Sequence, residues 1–218
     1  MRTAHRLALI GLASLAPLAA QATVLTFSNN FGTGGIAAYG DRVIGPSQNG
    51  AAYGEGDGWT PNVTLDFTTL GNQGPASLWN GGYASLVGAL GHGAFNVPYR
   101  IDFVADAGFR VTLNDFKIAT WSSASYQTDI RIWDDNGSFA SPNLFSFSQL
   151  LLPSTVYRPL GTPITGAGTV RMYLNNLGST GLDDIHFVQS PIPEPGSLAM
   201  MGLGLAGLML AARRRRDG

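Results

Sequence analysis

Two kinds of side chain in this chain could do chemistry: clustered carboxylates and broad aromatic rings. The most informative acidic stretch is Gly181-Leu182-Asp183-Asp184-Ile185-His186-Phe187. Side chains alternate between faces along a strand, so with Ile185 and Phe187 turned to a core, Asp183 shares their side while Asp184 and His186 look outward. A carboxylate at a core rim is costly unless backbone donors, an arginine or a hard cation satisfy it. Backbone capping, an arginine partner and a hard cation therefore all stand open for Asp183. Asp134-Asp135-Asn136-Gly137 lacks the alternating acidic spacing and distal glutamate of a calcium loop. It reads as a turn in which Asn-Gly supplies positive φ. The aromatic candidates are Trp59 and Trp79 in Gly-rich loops and Trp133, whose parity opposite Ile130 and Ile132 predicts an exposed ring. Indole faces pack against the C–H faces of sugars while a few polar groups fix orientation, which makes these three the candidate ligand-binding residues. Packing in a core is the alternative for each.

Catalytic constellations are harder to assemble. His5 falls in an N-terminal leader, leaving His92 and His186, too few for a three-histidine metal site. Cysteine is absent, no serine sits in a Gly-x-Ser-x-Gly elbow, and no catalytic residue is singled out. A non-catalytic binding protein is expected. The alternative is a secreted hydrolase of extracellular polysaccharide that uses a carboxylate pair about 5 to 10 Å apart.

Both ends of the chain carry targeting patterns. Arg2 and Arg6 precede the apolar run Leu7 to Ala19, and Ala20-Gln21-Ala22 offers small residues where signal peptidase reads them, so residues 1–22 are expected to be a cleaved signal peptide. At the other end, Pro193-Glu194-Pro195 is extended and helix-breaking because proline fixes its own φ and biases the residue before it. Residues 196–212 carry no charge and as a helix would be about 26 Å long at roughly 1.5 Å per residue. That is the short end of the spanning range. Arg213, Arg214, Arg215 and Arg216 follow and would hold that end on the cytoplasmic side. The expectation is a single transmembrane helix over 196–212 and a precursor on the periplasmic face of the inner membrane.

This tail resembles the PEP-CTERM protein-sorting signal of Gram-negative bacteria: Pro193-Glu194-Pro195-Gly196, an apolar helix, then an arginine cluster at the extreme C-terminus. The same tail is also labelled an ice-binding-protein C-terminal domain; no ice-binding activity follows, because the tail is an address. The resemblance covers residues 193–218 and implies processing by exosortase, a membrane-embedded cysteine-dependent transpeptidase, with delivery to the cell envelope or extracellular matrix. Pro193, Glu194 and Pro195 are then residues acted upon. Implied partners are signal peptidase, an exosortase-like enzyme and the membrane, with extracellular polysaccharide as the candidate ligand. The closing stretch around Asp183 is also similar to the last strand of many jelly-roll carbohydrate-binding modules, in which such an aspartate helps to hold calcium.

Between the targeting segments, residues 23–190 are expected to form one domain. Residues 23–192 carry seven basic against twelve acidic side chains, a net of −5, which argues against nucleic acid as a partner. Charged residues are only 12% of the whole chain and cysteine is zero, so the surface is largely neutral and polar and the core alone must hold the domain together. Val24 to Ser28, Val63 to Phe67, Ile130 with Ile132, Leu144 to Phe147, Val170-Met172-Leu174 and Ile185-Phe187 read as strands, with Ala84 to Leu90 either strand or short helix. Tyr99-Ile101-Phe103 and Phe109-Val111-Leu113, split by Asp106-Ala107-Gly108, predict a hairpin. The apolar phase slips by one residue between Leu113 and Phe116, predicting a bulge or a sheet corner at Asn114-Asp115. The class expected is all-β, an antiparallel sandwich or jelly roll.

Overall fold

The structure, a computed structural model, describes residues 22–27, 42–44, 56–58, 60–79, 81–192, 196, 202–209 and 213. The strands run in chain order as β1 (Ala22–Leu25), β2 (Arg42–Ile44), β3 (Gly56–Gly58), β4 (Val63–Thr69), β5 (Ser77–Trp79), β6 (Ala89–Gly91) and β7 (Val97–Ala105). They continue as β8 (Phe109–Thr120), β9 (Tyr126–Trp133), β10 (Phe145–Leu151), β11 (Val156–Tyr157), β12 (Ile164–Gly166), β13 (Thr169–Leu177) and β14 (Thr180–Pro191). All fourteen belong to one curled sheet. The all-β class read from the alternating sequence is therefore what the chain adopts.

Curling brings two parts of the sheet face to face. In one, β2, β4, β7, β13, β9 and β10 are neighbours in that order; in the other, β14 pairs with β8, β1 and β6. Pairing is antiparallel except between β2 and β4 and at the single link Leu177 to Thr180. Ile101, Phe103, Met172, Leu174, Ile130 and Ile132 from the first part meet Val111, Leu113, Ile118, Ile185 and Phe187 from the second in one core. The Phe103 and Phe187 rings cross it edge to face at 5.2 Å. Each such side chain contributes roughly 1.5 to 3 kcal/mol when fully buried, and with no cysteine this core is the source of stability.

That arrangement corrects the expected hairpin. β7 pairs with β4 and β13, whereas β8 pairs with β14, β11 and β12, so the turn at Asp106 to Gly108 carries the chain across the core. Alternation and a turn signal are the same for a hairpin and for a crossing between facing layers. Ala84 to Leu90 contributes only the start of β6, and β1 begins at Ala22, two residues before the expected opening strand.

The bulge at Asn114-Asp115 is present, and it has a counterpart. Along the β14/β8 pair, Asp183 faces Lys117, His186 faces Asp115 and Phe187 faces Leu113. β14 therefore has one extra residue around Asp184 and Ile185, and β8 one extra at Asn114. Asp184, at the extra residue, takes φ 44°, a left-handed conformation uncommon outside glycine. The extra residue flips the phase of β14, which is why Leu182 and Ile185 both reach the core despite opposite parity.

At the tail, residues 202–209 are helical and exposed. Among the described residues no helix is long and apolar enough to cross a membrane. A transmembrane helix over 196–212 is thus not supported by the structure; residues 197–201 and 210–212 lie outside those described.

Candidate functional site

Register places a row of chemistry-bearing side chains on the face of β4, β7, β13 and β9 that points away from the core. Tyr173 on β13 lies between Arg100 on β7 and Arg131 on β9; one step along, Arg171 lies between Asp102 and Trp133, and Asp102 lies opposite Asp66 on β4. Directly opposed residues share a face, so these side chains converge. The loop after β9 then folds back over this row. Its Phe139 packs edge to face on Tyr173 at 4.8 Å and on Trp133 at 6.1 Å. Arg131 lies over the Phe139 ring at 4.6 Å and donates from Nη1 to the Phe139 carbonyl at 3.1 Å, clamping the ring in place.

The result is a recess of about 290 Å³ lined by Leu70, Pro98, Arg100, Trp133, Phe139 and Tyr173. Burial pushes the Tyr173 hydroxyl above its usual range, against the pull of Arg131. Arg100 Nε lies 2.8 Å from Asp102 Oδ1, an ion pair whose geometry is not aligned as a hydrogen bond. Burial raises the Asp102 pKa, Arg100 and Arg171 oppose that, and Asp66 adds to it. Beside this recess a second, polar one of about 260 Å³ is lined by Asp66, Thr68, Thr69, Asn72 and Gln73 among others.

Of the three candidate tryptophans, Trp79 and Trp133 belong to different groups of rings. Trp59 lies outside the described residues. Trp79 is half-buried and packs edge to face on Trp121 at 5.0 Å, in a group with Tyr83. Trp133 has the parity expected of it, yet it is buried at 7% exposure because Phe139 covers it. Sequence parity gives the face of a strand, and a loop folding back on that face is invisible to it. Tyr173 and Arg100 sit at the outward positions of strands whose alternation the sequence displays, whereas Phe139, in a turn-rich loop, gave no signal.

The Asp134 turn forms, with Gly137 N–H donating to the Asp134 carbonyl at 3.0 Å, but Gly137 is not at positive φ. Glycine is required there because a Cβ would overlap Asn143. Burial opposes the Asp134 charge, but N–H groups of Ala167, Asn143 and Asn136 outweigh it and hold the carboxyl below its usual range. This aspartate organises a loop with its own donors. Among the described residues no group of three or more histidine, cysteine, aspartate or glutamate side chains could hold a metal ion.

Asp183 is buried at 5% exposure, but not on the expected face. It shares a side with Gly181, whose missing side chain leaves room for the Tyr83 ring, because the bulge separates both from Ile185 and Phe187. Its Oδ1 accepts the Asp184 N–H at 2.7 Å, the backbone cap among the open alternatives. Asp184 is half-buried and ion-paired with Lys117. Burial pushes the Asp183 carboxyl up to about 7, with Asp184 adding to the rise and its N–H and Lys117 opposing it. The folded state thus holds a proton that the unfolded chain releases near pH ~4, so this stabilisation is complete below that value and lost as pH rises through the folded pKa. Asp183→Asn keeps the acceptor and never ionises. Its melting temperature should match wild type at pH 4 and exceed it by roughly 5 °C at pH 8; an unchanged difference across that range would refute the assignment.

The last strand leads directly into the tail. β14 pairs through Pro191 with Phe109, and Ile192 N–H donates to the Gly108 carbonyl at 2.7 Å, so the sheet holds the chain up to the residue before Pro193. Residues 191–216 match the PEP-CTERM protein-sorting motif. The tail carries that motif. No curated protein and no solved structure was found to match the chain. The PEP-CTERM match begins on the final residue of β14 and so overlaps the end of the sheet. Pro193, Glu194, Pro195 and Arg214 to Arg216 lie outside the described residues; Arg213 is helical and exposed. At the opposite end, Ala20 lies outside them as well, and Ala22 opens β1, so removal of residues 1–22 would leave Thr23, the first buried residue among those described, in its strand.

Proposed function

We propose that this is an exported β-protein delivered to the cell envelope or extracellular matrix by an exosortase-type system acting on its PEP-CTERM tail, with a non-catalytic, polysaccharide-associated domain. The sorting motif carries the delivery part of this reading. In it, residues 1–22 are removed by signal peptidase and the tail keeps the precursor at the inner membrane until processing near Pro193 to Pro195. The domain is an antiparallel sandwich in this reading, supported by the two facing parts of the curled sheet. The intact mass of the exported protein tests it. A chain beginning at Thr23 and ending near Pro195 is expected, and a mass that includes either targeting segment would contradict it.

A second reading, a secreted polysaccharide hydrolase, is favoured by one observation: Asp66 and Asp102 lie directly opposite each other, and burial raises the pKa of one of them. Carboxylates whose pKa values are pushed apart are the pattern of an acid and its partner base. Against it, Arg100 engages Asp102 and favours its ionised form. Release of new reducing ends from polysaccharide, lost in Asp66→Asn, would decide for the hydrolase. We expect none.

A further inference from the structure

We propose that the recess between Arg100, Phe139 and Tyr173 binds one uronate unit, a carboxylated sugar ring, of an acidic polysaccharide. The proposal rests on the polysaccharide-associated reading above and gives it a site and a chemistry. Three features of the recess converge on this ligand. Its walls are largely apolar and aromatic, supplied by Leu70, Pro98, Trp133, Phe139 and Tyr173, and such surfaces pack against the C–H face of a pyranose. The one charged side chain lining it, Arg100, is a cation. Arg100 turns Nε to Asp102 and has no other partner among the described residues, which leaves its terminal amino groups for a carboxylate, the planar acceptor that guanidinium pairs with best.

The site is also held ready before any ligand arrives. Phe139 is 46% exposed, an unusual position for a phenylalanine, yet it is fixed from three sides by Arg131, Tyr173 and Trp133. A ring already fixed in its bound position loses little freedom on binding. The Arg131 guanidinium beside it adds a second positive charge at the rim, with no carboxylate in ion-pair contact among the described residues. The domain is acidic overall, so attraction of an anionic polymer must come from this local pair of arginines and should weaken with added salt.

The test titrates the exported protein with oligogalacturonate, with its methyl ester and with uncharged dextran oligomers of similar length, read by calorimetry and by tryptophan fluorescence. Binding of the free acid is expected, at least about tenfold tighter than of the ester or dextran, and weakened by salt. Phe139→Ala, at an exposed loop position, should lower affinity about tenfold, and Arg131→Gln should reduce the preference for the acid. Unchanged melting temperatures would separate these effects from unfolding. Equal binding of acid, ester and dextran that is lost in Phe139→Ala would overturn the uronate assignment while leaving the polysaccharide reading intact. Binding that neither variant alters would overturn the site. Binding of none of the three would overturn the proposal, and failure of a wider panel of polysaccharides as well would overturn the reading it rests on.

Discussion

Glu194→Ala should leave the protein uncleaved and trapped in the inner-membrane fraction of its native host, with the released form falling at least tenfold. The expectation follows from the position of the signal. The sheet holds the chain through Ile192, and the PEP-CTERM match extends from Pro191 to residue 216, so in the proposed reading a processing enzyme would act one residue beyond the last hydrogen bond of the sheet. Neither proline can donate a backbone N–H, which keeps the tripeptide from simply extending β14. Glu194 is the one side chain of the three with charge to offer an enzyme, and alanine removes it without shortening the tail. Neutralising Arg213 to Arg216 should act differently, weakening retention and orientation because the inward bias of the arginines is lost. Fractionation followed by detection with an antibody against the folded domain reads both. Normal release of the Glu194→Ala protein would remove the basis for exosortase-type sorting, whatever the domain does afterward.

This tail was legible because a sorting motif is a pattern of residue order, which a sequence displays before any fold is known. Strands were legible where one face is buried, as in Val63 to Phe67 and Val170 to Leu174, since period-2 alternation is a local consequence of burial. Even the slip at Asn114 could be read, because a bulge changes local phase. Partnership between strands could not. β7 and β8 adjoin in sequence and oppose each other across the core, and nothing in either segment distinguishes that from a hairpin. The same limit governs the site. Asp183 was expected to be buried and is, but a bulge one residue later turns it to the other face. Trp133 was placed on its proper face and then covered by Phe139, whose role depends on a loop that folds back from the turn at Asp134. A recess made by Arg100, Tyr173 and Phe139 joins three distant segments, so the sequence showed its parts and not their meeting.

Gly178→Ala should lower the melting temperature by roughly 6 to 12 °C, corresponding to about 3 kcal/mol in a domain of this size. Gly178 sits in the turn between β13 and β14, where the curled sheet passes from one facing part to the other through the link of Leu177 to Thr180. Its φ of 90° is strained for any residue with a Cβ, and a Cβ there would overlap the backbone carbonyl of Ala94. Relief by movement is blocked on several sides. Gly178 N–H donates to the Thr180 carbonyl at 3.0 Å, and its own carbonyl accepts the Tyr83 hydroxyl at 3.1 Å. Ala94 N–H is held by His92 Nδ1 at 2.9 Å, and Asn96 exchanges hydrogen bonds with Ser179. Thr180 and Thr128 are tied together through Asn176. Shifting the turn would break several members of this largely buried network, and each buried group left unpaired costs about 1 to 3 kcal/mol. Gly71→Ala supplies the control: its φ is 82°, but nothing lies within 4 Å of the added methyl group. It should cost only the backbone strain, about 1 kcal/mol and a few degrees. Similar small losses for both substitutions would mean that the turn yields freely and that Gly178 is needed for its conformation alone, not for the close approach of Ala94.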